Sequence, residues 1–183
     1  MMLADTNRRR LHARALEQHG YITTADADEM GVPPVELRKI AHRGGLTHLA
    51  HGLYRFDDIP ATDHGPYFEA VLRAGPGDYL TGDAVLAFHD LALVNPRRVR
   101  VAAPRRVRAK LPDWVAVEQR PPGRDDVVTV EGVPMTRVAQ ALRECRGTVM
   151  ADRLADAAGE AVRRGLVRRR EAAGLLDELT GAA

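Results

Sequence analysis

At 183 residues, 45% apolar and 28% charged, the chain has the composition of a globular protein of one large or two small domains. Its 27 basic residues face 25 acidic ones, a net charge of only +2, so attraction to a polyanion has to come from local clustering and not from a whole-molecule field. No apolar run approaches the length of a bilayer span, the opening MMLADTNRRR lacks the hydrophobic segment of a signal peptide, and the single cysteine, Cys145, excludes an intrachain disulfide and a cysteine zinc cluster. The expected location is the cytoplasm.

Residues 5–19 have helical character, with Leu11, Ala15 and Leu16 available for one buried face, and Gly20 stops that helix. Thr23-Thr24 is a good N-cap pair for a short second helix over 24–30, and Gly31-Val32 supplies a tight turn. Pro33 and Pro34 suit the first positions of a third helix, where a missing N–H costs nothing; it runs to about Arg43 and ends at Gly44-Gly45. Two strand-like runs, 46–50 and 53–56, follow around His51-Gly52. Three helices and a hairpin in fewer than 60 residues read as a winged helix-turn-helix, a DNA-reading module. Residues 57–63 (DDIPATD) read as a linker, giving domains 1–58 and 59–183.

The second segment reads as α+β. A helix is expected over 66–74, with Phe68, Val71 and Leu72 facing a core, and another over 81–91. Strand candidates are 98–102, 114–118, 127–130 and 133–135, the last pair around Glu131-Gly132. Thr136 can cap a helix through Val138, Ala141 and Leu142. Residues 148–180 are helical, broken at Arg164-Gly165-Leu166 and closed by Gly181.

Residues 1–60 carry eight basic and eight acidic side chains, but the two are segregated. The acids concentrate at Asp26, Asp28 and Glu29 on the second helix; the cations include Arg38, Lys39 and Arg43 on the third and Arg55 on the wing. If Leu37, Ile40 and Ala41 face the core, then Val35, Arg38, Lys39 and His42 face outward, where a recognition helix meets the major groove. Arg38 is the base-reading candidate, because a guanidinium can bond guanine O6 and N7 together; Lys39 and Arg43 suit phosphates. The same basic face could instead serve protein contacts.

A second basic run, RRVRVAAPRRVRAK over 97–110, holds seven cations and no acid. Arg97, Arg98, Arg100, Arg105, Arg106 and Arg108 could widen a phosphate footprint, dock an acidic partner, or simply face solvent. His48 and His51 at the hairpin tip are too few for a metal site, and Cys145 has no base partner. His89-Asp90-Leu91 with Asn95 is reminiscent of a kinase catalytic loop, but no lysine and no Asp-Phe-Gly stand where such an enzyme needs them. No P-loop, G-x-S-x-G or H-E-x-x-H is present, and no cofactor is expected.

The order of RGGLTHLAHGLYRF (43–56), YLTGDAVLAFHDL (79–91), the valine-rich strand 99–102, GVPMTRVAQALREC (132–145) and AVRRGLV (161–167) resembles the AbiEi-type antitoxins of bacterial type IV toxin–antitoxin systems. Thr81-Gly82-Asp83 stands where that family usually has a Ser or Thr-Ser character, and no role is assigned to it. The resemblance implies an N-terminal winged-helix domain that represses its own operon by binding operator DNA in the promoter. It also implies a C-terminal α+β antitoxin domain, ending in helices, that counteracts a nucleotidyltransferase-like toxin encoded next door without a stable complex. Two other readings are a stand-alone winged-helix regulator and an enzyme that phosphorylates the toxin, for which Asp90 and Asn95 are the only hint.

Overall fold

The computed structural model describes residues 2–123 and 127–180, and the chain divides into two units, Met1–Arg73 and Ala74–Ala183. The first contains α1 (Met2–Leu16), β1 (Tyr21–Thr23), α2 (Thr24–Glu29), α3 (Pro34–His42), β2 (Leu46–Ala50), β3 (Leu53–Phe56) and nearly all of α4 (Gly65–Ala74). Its antiparallel sheet runs β1-β3-β2, with Ile22 opposite Tyr54 and Leu46 opposite Phe56. Because strand side chains alternate, those four point to one face, where they meet Leu11 and Ala15 of α1 and Leu37 and Ile40 of α3 in one buried cluster. The element order is consistent with the expected winged helix-turn-helix.

Several expectations are corrected here. The short strand β1 was not anticipated; three residues show too little alternation to announce a strand, and pairing with β3 makes it one. Helix α1 stops at Leu16, ahead of the left-handed His19 (φ 54°), and Leu16 is exposed instead of joining Leu11 and Ala15 in the core. The division between units lies beyond residue 58, because the stretch read as a linker packs on the first unit. Ile59 is buried in its core, Asp58 pairs with His12 (3.2 Å) and Thr62 bonds His19 (2.8 Å). Helix α4 then covers the second face of the sheet: Tyr21 donates its hydroxyl to Glu69 (2.9 Å), and Arg73 bonds the Leu49 carbonyl (3.1 Å).

The second unit is a mixed sheet ordered β6-β5-β4-β8-β7, from β4 (Tyr79–Leu80), β5 (Val99–Ala103), β6 (Val115–Gln119), β7 (Val127–Val130) and β8 (Val133–Thr136). Its helices are α5 (Asp83–Phe88), α6 (Val138–Glu144), α7 (Ala151–Arg163) and α8 (Arg169–Thr180); Gly181 lies outside the described residues. Helix α5 is shorter than the expected 81–91, because the sheet pairing of Leu80 carries on to Thr81, whose N–H bonds the Arg100 carbonyl (3.2 Å), and the chain leaves helical geometry at Asp90 (φ 52°). β5 and β6 are parallel, Val99 beside Val115, so residues 104–114 must carry the chain back along the strand. The basic run after β5 is that return loop.

One polar knot ties this unit together. Thr81, fully buried, donates its hydroxyl to Glu144 (2.5 Å) and accepts from Arg120; Glu144 also takes the Gly82 N–H (2.8 Å), Arg120 Nη1 (2.6 Å) and Gln140 Nε2 (3.0 Å). Burial acts to raise the Glu144 carboxyl, and the bonds from Arg120, Thr81 and Gln140 outweigh it, holding the group below the usual glutamate range. A depressed carboxyl adds stability above its ordinary titration range and loses it as pH falls through the folded value. Glu144→Gln is therefore expected to cost about 2 kcal/mol near neutrality. Between about pH 5 and pH 3 the wild type should lose more stability than the variant in chemical denaturation.

Candidate nucleic-acid interface

α3 owes its place to a turn and its rotation to burial. Thr23 caps α2 in a reciprocal box with Asp26, each side chain bonding the other's backbone N–H (3.0 and 2.8 Å). The chain then turns through Gly31 (φ 68°), a left-handed position where a side chain would be strained, and buries Val32, whose N–H bonds the Ala27 carbonyl (2.7 Å). Pro33 and Pro34 start α3 with φ −57° already set at Pro33. With Leu37 and Ile40 inside, Val35, Arg38, Lys39, His42 and Arg43 are all exposed.

These residues differ in what holds them. Lys39 is paired with Glu36 one turn back (2.8 Å), and the bond from Lys39 holds the Glu36 carboxyl below the usual range despite some desolvation. Arg38, His42 and Arg43 form no ion pair among the described residues. Arg8 of α1 adds a cation that sequence reasoning missed: its Nη1 bonds the Gly44 carbonyl (3.1 Å) just beyond α3, and its guanidinium lies 6.0 Å from the Phe56 ring centroid. Arg10 similarly reaches the Met30 carbonyl (2.7 Å). The signal was the triplet Arg8-Arg9-Arg10, but its reach toward α3 depends on tertiary packing.

Arg55 does not join this surface. It lies on the sheet face opposite Tyr54 and Phe56, its Nη2 bonds the Ile59 carbonyl (2.8 Å), its Nη1 bonds the Phe56 carbonyl (3.3 Å), and its guanidinium lies 5.9 Å from the Tyr21 ring centroid. In the wing, His48 stacks at 4.8 Å on Tyr54, and both His48 and His51 are exposed. The Gly52 carbonyl accepts the Thr24 N–H (2.9 Å), which holds the hairpin turn against the start of α2.

The second basic run divides in the same way. Arg100 is ion-paired with Glu118 (3.3 Å) and lies 4.0 Å from Asp83; Arg105 pairs with the buried Asp78 (2.6 Å) and bonds the Pro76 carbonyl (3.1 Å). Burial raises the carboxyls of Asp78 and Asp83 against the pull of these arginines. Arg97, Arg98, Arg106, Arg108 and Lys110 remain exposed. Asp90 occupies a left-handed turn after α5, and burial pushes the Cys145 thiol up to about 12, far from a reactive thiolate. Among the described residues no three of His, Cys, Asp and Glu gather as a metal-binding group.

Residues 9–56 match the family described as "Transcriptional regulator, AbiEi antitoxin". No curated protein matches the sequence. Among solved structures, the RV2827C protein from Mycobacterium tuberculosis is similar, with a TM-score of 0.50 and 18% identity over 95% of this chain and 77% of that one. At that identity the likeness is one of fold. The geometry separates two roles for arginine in the first unit. Arg55→Ala is expected to lower stability by about 1–2 kcal/mol, from its lost carbonyl bonds, and Arg38→Ala to stay within about 0.5 kcal/mol, both read from denaturant midpoints.

Proposed function

Taking the N-terminal module as that of an AbiEi-type antitoxin regulator, we propose that this chain represses its own operon by binding operator DNA through a winged helix-turn-helix. In this reading its second unit, residues 74–183, counteracts a nucleotidyltransferase-like toxin. The observation that carries the DNA half is the exposed face of α3: Val35, Arg38, Lys39, His42 and Arg43 on one side, Leu37 and Ile40 locked into the core on the other. Such a face fits the major groove in helix-turn-helix docking.

Roles follow from chemistry. Arg38, with no ion pair among the described residues, reads guanine through paired bonds to O6 and N7; Val35 supplies an apolar contact of the kind a thymine methyl takes. Arg43 and Lys39 hold phosphates, Lys39 by exchanging its bond to Glu36 for one to DNA. Within the second basic run, Arg97, Arg98, Arg106 and Arg108 are exposed and available for phosphate contacts, whereas Arg100 and Arg105 are engaged with acids of their own unit. The toxin half rests on the antitoxin family of residues 9–56 and on the sequence resemblance over 79–167.

Fluorescence anisotropy of the chain with its own upstream promoter and with a scrambled duplex, at two salt concentrations, tests the DNA half. A preference of about a thousandfold or more for the promoter is expected. Arg38→Ala should cost about 1–3 kcal/mol on the promoter and relax preference at one position, while replacing Arg97 and Arg98 by Ala should weaken binding to all sequences and flatten the salt slope. Equal, weak and strongly salt-dependent binding to both duplexes would overturn the repressor reading. Rescue of growth on co-expression with an adjacent nucleotidyltransferase-type reading frame tests the toxin half.

A further inference from the structure

The surface around Leu93 is used by none of these roles. After α5 the chain makes a turn in which Asp90, Ala92 and Leu93 all have left-handed backbone, with φ of 52°, 58° and 50°. L residues with side chains adopt that geometry at a cost, and it persists where the surroundings enforce it. The enforcement is visible here. Leu91, between them, is buried with its N–H on the Leu86 carbonyl (2.8 Å), and Arg164 of the α7 C-cap bonds the His89 carbonyl (2.6 Å).

This pinned turn holds Leu93 outward, 87% exposed, with Met150 at 57% beside a shared hollow of about 320 Å³ that Val94, Pro96 and Val149 also line. A second hollow, about 250 Å³, lies on the Asp90 side of Leu93, between the turn and Arg153, Asp156 and Ala157 of α7. A large apolar knob therefore stands between two hollows. The charges around it are of both signs. Arg153, Asp90 and Asp156 are exposed and make no ion pair among the described residues, whereas Glu160 and Arg163 nearby pair with each other.

We propose that this surface docks a second copy of the same chain, the Leu93 of each copy seating in a hollow of the other. A two-fold contact sets a patch against itself, so the patch must carry both halves of every complementary pair. This one does: knob and hollow for shape, Arg153 with Asp90 and Asp156 for charge. Across the axis each Arg153 faces the acids of the other copy. The apolar centre is small, so the association is weak, in the micromolar range, and is reached where copies are concentrated.

Sedimentation velocity of the full chain, without DNA or toxin, over about 5–500 µM tests this independently of the repressor reading. The wild type is expected to shift from monomer to dimer across that range. Leu93→Asn is the key variant, because Asn tolerates left-handed backbone better than Leu; it should keep or raise the melting temperature while weakening the dimer tenfold or more. Arg153→Asp should weaken it too, and adding Asp156→Arg should restore it. A wild type that stays monomeric throughout, or a dimer indifferent to Leu93→Asn, overturns the proposal. So does a monomer whose Leu93→Asn variant no longer counters a toxin, since that assigns the patch to a foreign protein.

Discussion

The rotation of α3 about its own axis is the constraint on which the first unit depends. Leu37 and Ile40 are three residues apart, on one stripe of a 3.6-residue helix, and both are buried against Tyr54, Phe56 and Leu46 of the sheet. Once that stripe is inside, Val35, Arg38, Lys39 and His42 have only the solvent side left. The core thus aims the basic face without any direct bond to it. The β1-β3-β2 order serves the same end, since the central β3 contributes both aromatics of the sheet's inner face.

Cations elsewhere in the chain are sorted by whether a carboxylate or carbonyl is within reach. Arg55, Arg100, Arg105 and Arg120 are spent on internal partners: two carbonyls for Arg55, and Glu118, Asp78 and Glu144 for the others. Their guanidiniums act as multi-donor struts, a use for which the planar five-donor fork is suited. Arg38, Arg43, Arg97, Arg98, Arg106 and Arg108 stay on the surface. A chain of net charge +2 can therefore present locally positive faces, because acids such as Glu118, Asp78 and Glu144 are engaged with internal arginines.

In the second unit the Thr81–Arg120–Glu144 knot and the turn at 90–93 occupy opposite ends of α5. The knot saturates Glu144 with donors from the residues just after β4 and β6 and from α6, so a charge buried among sheet and helix is tolerable. The turn does the reverse, holding three side-chain-bearing residues in left-handed geometry to leave Leu93 in water. Residues without an evident partner inside their own unit are where a surface has something left to offer.

Much of the first unit was legible in the sequence. Both wing strands, the Thr23 cap and the inward stripe of α3 follow from period, cap chemistry and proline placement, all of which are local and act over a few residues. The Thr81 segment, by contrast, had no readable role, because its partners Arg120 and Glu144 lie 39 and 63 residues away. Nor could the sequence distinguish Arg55 from Arg38: both are arginines beside apolar residues, and only the strand face and the Ile59 carbonyl take Arg55 away from the α3 surface. The linker reading of 57–63 failed for the same reason, since polar and proline-containing residues look unpacked until Ile59 is seen buried. Short-range periodicity and capping determine which elements form and which stripe faces inward; the pairing of distant strands decides which charges are neutralised and which remain to act.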